Sequence, residues 1–113
     1  MDRPRFLRED FIAYLHIQPT DKYYDRASDY DNPISSWIRK DYKLRVKTNR
    51  WGLYLDGQRF NQSTWIKQFL DEMYDNISSG MITPQMCLEI LYEIKLNRNQ
   101  RREDDKTLGY RNI

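Results

Sequence analysis

The sequence predicts one small α+β domain, and three observations carry that prediction. Residues 42–49 alternate Tyr42, Leu44, Val46 and Thr48 with Lys43, Arg45, Lys47 and Asn49, the period of a strand with one face on a core and the other in water. Trp65, Phe69, Met73 and Ile77 recur every four residues, the period of an amphipathic helix. The chain has 113 residues, 14% of them aromatic. That leaves room for one core and supplies rings to fill it, since each large aromatic side chain buries ~150 to 250 Å².

The elements follow in order. A helix is expected over residues 4–17, with Asp2 as its cap, Pro4 in the first turn, and Leu7, Phe11, Tyr14 and Leu15 on one face. It stops near Pro19. Over residues 20–32 the apolar period is lost in a polar run that holds Tyr23, Tyr24 and Tyr30. Three tyrosines exceed what a solvated spacer needs, so an ordered loop is expected. Asn32-Pro33 is a cap followed by proline at the first helical position, and Ile34, Trp37 and Ile38 share one side of the short helix it opens.

Strands are expected at 42–48 and at 51–56, the second with Leu53 and Leu55 on one face and Tyr54 on the other. Asp56-Gly57 is a hairpin signal leading to a third strand at 58–60, which completes a three-stranded antiparallel meander. One helix, started by Ser63 or Thr64, would cover this sheet; Ile66 and Leu70 widen its stripe, and Gly80 stands where a left-handed stop belongs.

Thr83-Pro84 opens a last helix over 84–96. Met86, Cys87, Leu88, Ile90, Leu91, Tyr92, Ile94 and Leu96 are apolar, and only Gln85, Glu89, Glu93 and Asn97 form a polar stripe. A helix this apolar needs cover on two sides, as a central helix or in a homodimer. The domain is expected to span 1–96, with 97–113 a frayed tail that has nothing to bury.

Charge is segregated along the chain. Residues 39–60 carry seven basic residues (Arg39, Lys40, Lys43, Arg45, Lys47, Arg50, Arg59) against Asp41 and Asp56, whereas 61–94 carry one basic residue against five acids. Polyanions or acidic protein surfaces would be steered to the first segment. The single cysteine, Cys87, excludes an intrachain disulfide and reads as a reducing compartment. No apolar run reaches the length of a membrane span and the N-terminal residues do not read as a signal peptide, so a soluble cytoplasmic protein without membrane contact is expected.

Catalytic chemistry has little to stand on. The only histidine, His16, falls at a helix end, where a favourable dipole contact explains it. Cys87 lies in the most apolar helix, where a thiol behaves as a small hydrophobe. Asp21, Asp25, Asp29 and Asp31 lack the glycine and terminal glutamate of a calcium loop and suit turns and caps instead. Asp41-Tyr42-Lys43 has the acid-x-Lys form used by some metal-dependent nucleases, without a second acidic strand. No glycine pattern cradles phosphates. No enzyme, cofactor or metal is therefore expected.

What remains is recognition. The expected function is that of a small non-enzymatic protein that binds another macromolecule, as an accessory subunit, adaptor or inhibitor with a protein partner. The alternative is nucleic-acid binding by a sheet face that couples cations to rings. The candidate surface is Lys43, Arg45, Lys47, Arg50, Trp51 and Tyr54 on the sheet, with Tyr23, Tyr24 and Tyr30 in the loop before it. A homodimer through the 84–96 helix is the further partner expected.

Overall fold

In the computed structural model, residues 5–97 are described. The elements run α1 (Arg8–His16), β1 (Tyr24–Asp25), α2 (Pro33–Tyr42), β2 (Val46–Asn49), β3 (Gly52–Leu55), β4 (Gln58–Phe60), α3 (Thr64–Asn76), β5 (Met81–Ile82) and α4 (Pro84–Asn97). This is the expected α+β class, with an antiparallel sheet in the order β2-β3-β4. The expected Asp2 cap and Pro4 turn, the side chain of Leu96 and the tail from 98 to 113 lie outside the described residues.

Aromatic rings from three helices build the core. Phe11 of α1 lies 5.1 Å from Trp37 of α2 and 5.3 Å from Phe69 of α3 between ring centroids, and Trp37 lies 5.8 Å from Trp65. Phe6 meets Tyr42 edge-on at 4.8 Å. That contact explains why α1 begins at Arg8 and not at residue 4. Phe6 is buried, its carbonyl accepts the Trp65 indole N–H at 2.9 Å, and the Arg5 carbonyl accepts the Tyr42 hydroxyl at 3.4 Å. Tertiary contacts hold residues 5–7 extended, and Leu7 takes the cap position without a side-chain cap. The indole N–H of Trp37, buried among these rings, has no acceptor among the described residues.

The same ring cluster moves a strand boundary. Tyr42 ends α2, and Lys43 closes that helix in the left-handed region at φ 58°, its N–H on the Arg39 carbonyl. The strand therefore starts at Val46, four residues later than the alternation suggests. Packing of the Tyr42 ring against Phe6 and Trp37 outweighs the local β pattern.

The helix on the sheet is α2, against β2, whereas α3, expected as the cover, packs on α4 and meets the sheet at its tip. Ile77 caps α3 in extended backbone, and Gly80 is not left-handed. The loop expected over 20–32 contributes β1, which pairs antiparallel with β5. Two-residue strands have no period to read. The helix α4 is buried at Cys87, Leu88, Ile90, Leu91 and Ile94, exposed at Gln85, Glu89 and Glu93, and packed by α1 and α3. Two-sided cover is thus met within one chain, leaving Tyr92 47% exposed.

A buried polar knot fixes the loop, α2 and β2 together. Asn32 Oδ1 caps α2 through the Ser35 N–H at 2.9 Å and accepts the Thr48 hydroxyl at 3.1 Å, while Asn32 Nδ2 donates to the Thr48 carbonyl at 2.9 Å. The Asp29 carbonyl accepts both the Thr48 N–H and the Ser35 hydroxyl. Every member has a partner, as burial of polar groups requires.

Candidate functional site

Strand register decides which side chains share the outer face. Val46 pairs with Leu55, and Thr48 with Leu53 and through it Phe60, so these point to the core. Lys47 pairs with Tyr54, and Tyr54 with Arg59, which places the three in one row across the outer face. Lys47 Nζ lies 5.3 Å and Arg59 Cζ 6.0 Å from the Tyr54 ring centroid, two cation–π contacts on one ring. Gly52 makes room for that ring: a Cβ there would stand 3.1 Å from Tyr54 Cε1.

At one end of this row an open groove of about 460 Å³ is lined by Tyr30, Arg39, Arg45, Val46, Lys47, Tyr54 and Gly57. The tight turn Asp56-Gly57, with φ of 51° and 84°, closes its end. Asp56 extends the ladder by donating its N–H to the Arg45 carbonyl at 2.8 Å and accepting the Arg45 N–H on Oδ1. Arg39 donates to the Tyr30 carbonyl at 2.6 Å and pairs with Asp31 at 3.4 Å. That exposed pair is screened by water and contributes little. Among the described residues, neither the Arg45 guanidinium nor the Lys47 ammonium has a carboxylate partner.

At the other end stands Trp51, 74% exposed, on the two-residue tip between β2 and β3. The two carbonyls of this tip and those of Asn49 and Gly52 that flank it are all tied by side chains. Gln62 Nε2 donates to Asn49 at 2.6 Å and to Gly52 at 2.9 Å, Lys67 Nζ to Arg50 at 3.3 Å, and Arg59 to Trp51 at 2.8 Å. The Trp51 N–H donates to Asn49 Oδ1. Arg50 is pulled onto α3 by Asp75 at 2.7 Å and Asp71 at 3.7 Å and lies over the Tyr74 ring. Its pKa is raised above the usual arginine value, chiefly by the hydrogen bond to Asp75. The tip is held in place, and its ring is not covered.

The chain matches no protein-family model, no curated protein and no solved structure.

The expected surface residues divide accordingly. Arg45, Lys47, Tyr54 and Tyr30 come together at the groove, with Tyr30 57% exposed. Trp51 is at the tip, and Arg50 beside it is engaged with α3. Lys43 is exposed but sits at the end of α2, off the strand, and lines neither the groove nor the shallow depression beside Trp51. Tyr23 is exposed beside β1 and lines neither. Tyr24 is 2% exposed, and its hydroxyl donates to that of Tyr14 at 3.2 Å. It belongs to the core because pairing with Ile82 turns its ring inward, so this ring is not part of the surface.

Arg39, Arg59 and Gln62 complete the arrangement and were not among the expected site residues. The two arginines fall inside the basic segment, but only strand pairing brings Arg59 beside Tyr54, and only the packing of α2 on β2 brings Arg39 to the groove. Gln62 carries no signal in the sequence.

The remaining chemical candidates are placed by the same packing. Asp41-Tyr42-Lys43 lies at a helix end, not on a strand, which removes the geometry that an acid-x-Lys metal site needs. Asp25 accepts the Ala27 N–H in a local turn, and Asp29 accepts from Asn49 Nδ2 across 20 residues, tying the loop to β2. Among the described residues no three His, Cys, Asp or Glu side chains gather to hold a metal ion. Burial pushes the Cys87 thiol up, and likewise the Tyr14 and Tyr24 hydroxyls. No helix among the described residues is long and apolar enough to cross a membrane.

Proposed function

We propose that this chain is a small non-enzymatic binding protein that engages another macromolecule through the outer face and tip of the β2-β3-β4 sheet, in the role of an accessory subunit, adaptor or inhibitor. The pinned tip carries the reading. A tryptophan left 74% exposed loses the gain from burying its ring, and the four tied carbonyls hold the backbone that carries it before any partner arrives. Pre-organised aromatic anchors of this kind dominate the energy of many interfaces, because little freedom is lost on binding.

The groove supplies a second, electrostatic component. Among the described residues Arg45 and Lys47 have no carboxylate partner, so they would favour a binding partner with negative charge and raise its rate of encounter. Acidic protein surfaces and nucleic acids both meet that condition. A cytoplasmic setting fits a chain whose one cysteine is a buried free thiol.

The test is site-directed photo-crosslinking in cells that make the full chain. A photo-reactive amino acid replaces Lys47 or Trp51 on the sheet, and Glu89 on α4 as the control. Macromolecular adducts at 47 and 51 that are missing at 89 support the reading. Adducts only at 89, or none at any position, count against it.

A further inference from the structure

We propose that the sheet's outer face is a track for single-stranded nucleic acid, with phosphates held at Arg45 and Lys47 and a base stacked on Trp51. This rests on the binding surface just described and deepens it by naming the partner class.

Three observations converge. Among the described residues, Arg45 and Lys47 at the groove have no carboxylate partner, and only Arg39 there is paired, with Asp31. At the tip Arg50 is paired with Asp71 and Asp75 and Lys67 with Asp71, which leaves Arg59 alone there without one among the described residues. Positive charge is thus available at one end of the face and largely spoken for at the other, so phosphates belong at the groove. Next, the ring at the far end stands in a polar rim. Apart from Phe60, the residues around the Trp51 depression include Arg50, Arg59, Asn61, Gln62 and Lys67. Protein-docking cores are depleted of charge. A ring bordered by cations and amides suits a base whose own backbone is charged, and every base has a π-face to offer.

The third observation is continuity. Groove and tip lie at opposite ends of β2, four residues long, which at ~3.3 Å per residue separates them by roughly 13 Å. Arg59 bridges the gap, since it lies over Tyr54, which lines the groove, and itself lines the Trp51 depression. Four-stranded sheets that present exposed rings in this way seat two or three bases, and the shorter face here would seat fewer. A duplex offers Trp51 nothing, because its base faces are already occupied by their neighbours.

The experiment is fluorescence anisotropy with the full chain at low and moderate salt. The probes are a labelled oligothymidylate of about 12 nucleotides, a duplex of equal length and a labelled polyglutamate. The oligothymidylate is expected to bind most tightly and to quench tryptophan emission. Trp51→Ala should weaken it about 5- to 150-fold, the range that one lost base stack gives, while Trp51→Phe keeps most of the affinity.

Arg45→Glu with Lys47→Glu should lower the salt slope by about 1.4, or about 0.7 per lost phosphate contact. Basic residues beyond position 97 add to the slope of both proteins, so the difference isolates the groove. Equal binding to the duplex with no effect of Trp51→Ala overturns the proposal, as does binding to polyglutamate alone. In either case crosslinks at positions 47 and 51 would still uphold the sheet as the binding surface, and their absence would sink both.

Discussion

Replacing Asn32 with alanine should be the most damaging single change at a polar position in this fold, and the cost can be built up from its contacts. Its Oδ1 caps α2 through the Ser35 N–H and accepts the Thr48 hydroxyl, and its Nδ2 donates to the Thr48 carbonyl. Loss of an N-cap costs about 1 kcal/mol. Loss of the Nδ2 bond leaves the buried Thr48 carbonyl without that donor and adds about 2 kcal/mol, while the Thr48 hydroxyl keeps Ser35 Oγ at 2.9 Å. The sum is about 3 kcal/mol, a large share of the ~5 to 15 kcal/mol that holds a typical domain together.

Urea unfolding followed by tryptophan fluorescence reads this directly, as a lower midpoint at unchanged slope. In a thermal melt it corresponds to a drop of roughly 12 to 24 °C. Asn32→Asp keeps an acceptor at Oδ1 but sets a buried carboxylate oxygen against the Thr48 carbonyl in place of the donor, so it should cost at least as much as alanine. The same knot seats the loop that brings Tyr30 and Asp31 to Arg39, so the alanine variant should also loosen that wall of the groove. A loss under about 0.5 kcal/mol for Asn32→Ala would refute the claim that this knot holds α2 on the sheet.

Other expectations follow from single features. Gly57 sits at φ 84°, so Gly57→Ala should destabilise by about 1 kcal/mol or more although the site is open, measured by the same unfolding curve. Cys87, Tyr14 and Tyr24 are all shifted upward by burial. Folded-state values above the unfolded ones mean that their contribution is complete below the ordinary thiol and phenol range and is lost progressively as pH rises from there toward the raised folded-state values. Stability should therefore fall above about pH 9, and Cys87 should react with thiol reagents only on unfolding. Because α4 is covered within one chain by α1 and α3, sedimentation should find a monomer, and Leu91→Asp should unfold the chain instead of dissociating a dimer.

Much of this is legible in the sequence, and the departures share a cause. Asn32-Pro33, Asp56-Gly57 and Thr83-Pro84 are local chemistry, and each marks a boundary where the structure has one. The stripe on α3 is a pattern long enough to read. Tyr42 was misassigned because its destination is set by Phe6 and Trp37, contacts that no local period encodes. Tyr24 was misjudged because a two-residue strand turned it inward. At the site, Arg45, Lys47 and Tyr54 followed from alternation, whereas the pinning of the tip by Gln62 and Arg59 is a product of tertiary placement alone.

The central claim, that the outer face of the sheet is where a partner binds, is tested most directly by amide and indole chemical shifts in solution. Oligothymidylate and polyglutamate would be titrated separately into isotopically labelled full chain. The account expects shifts confined to Tyr30, Arg45, Lys47, Tyr54 and Arg59, and to the Trp51 indole among the three tryptophans, with the Trp37 indole unmoved in the core. Shifts centred on α4 or on Lys43, or an even scatter with the Trp51 indole unchanged, would contradict it.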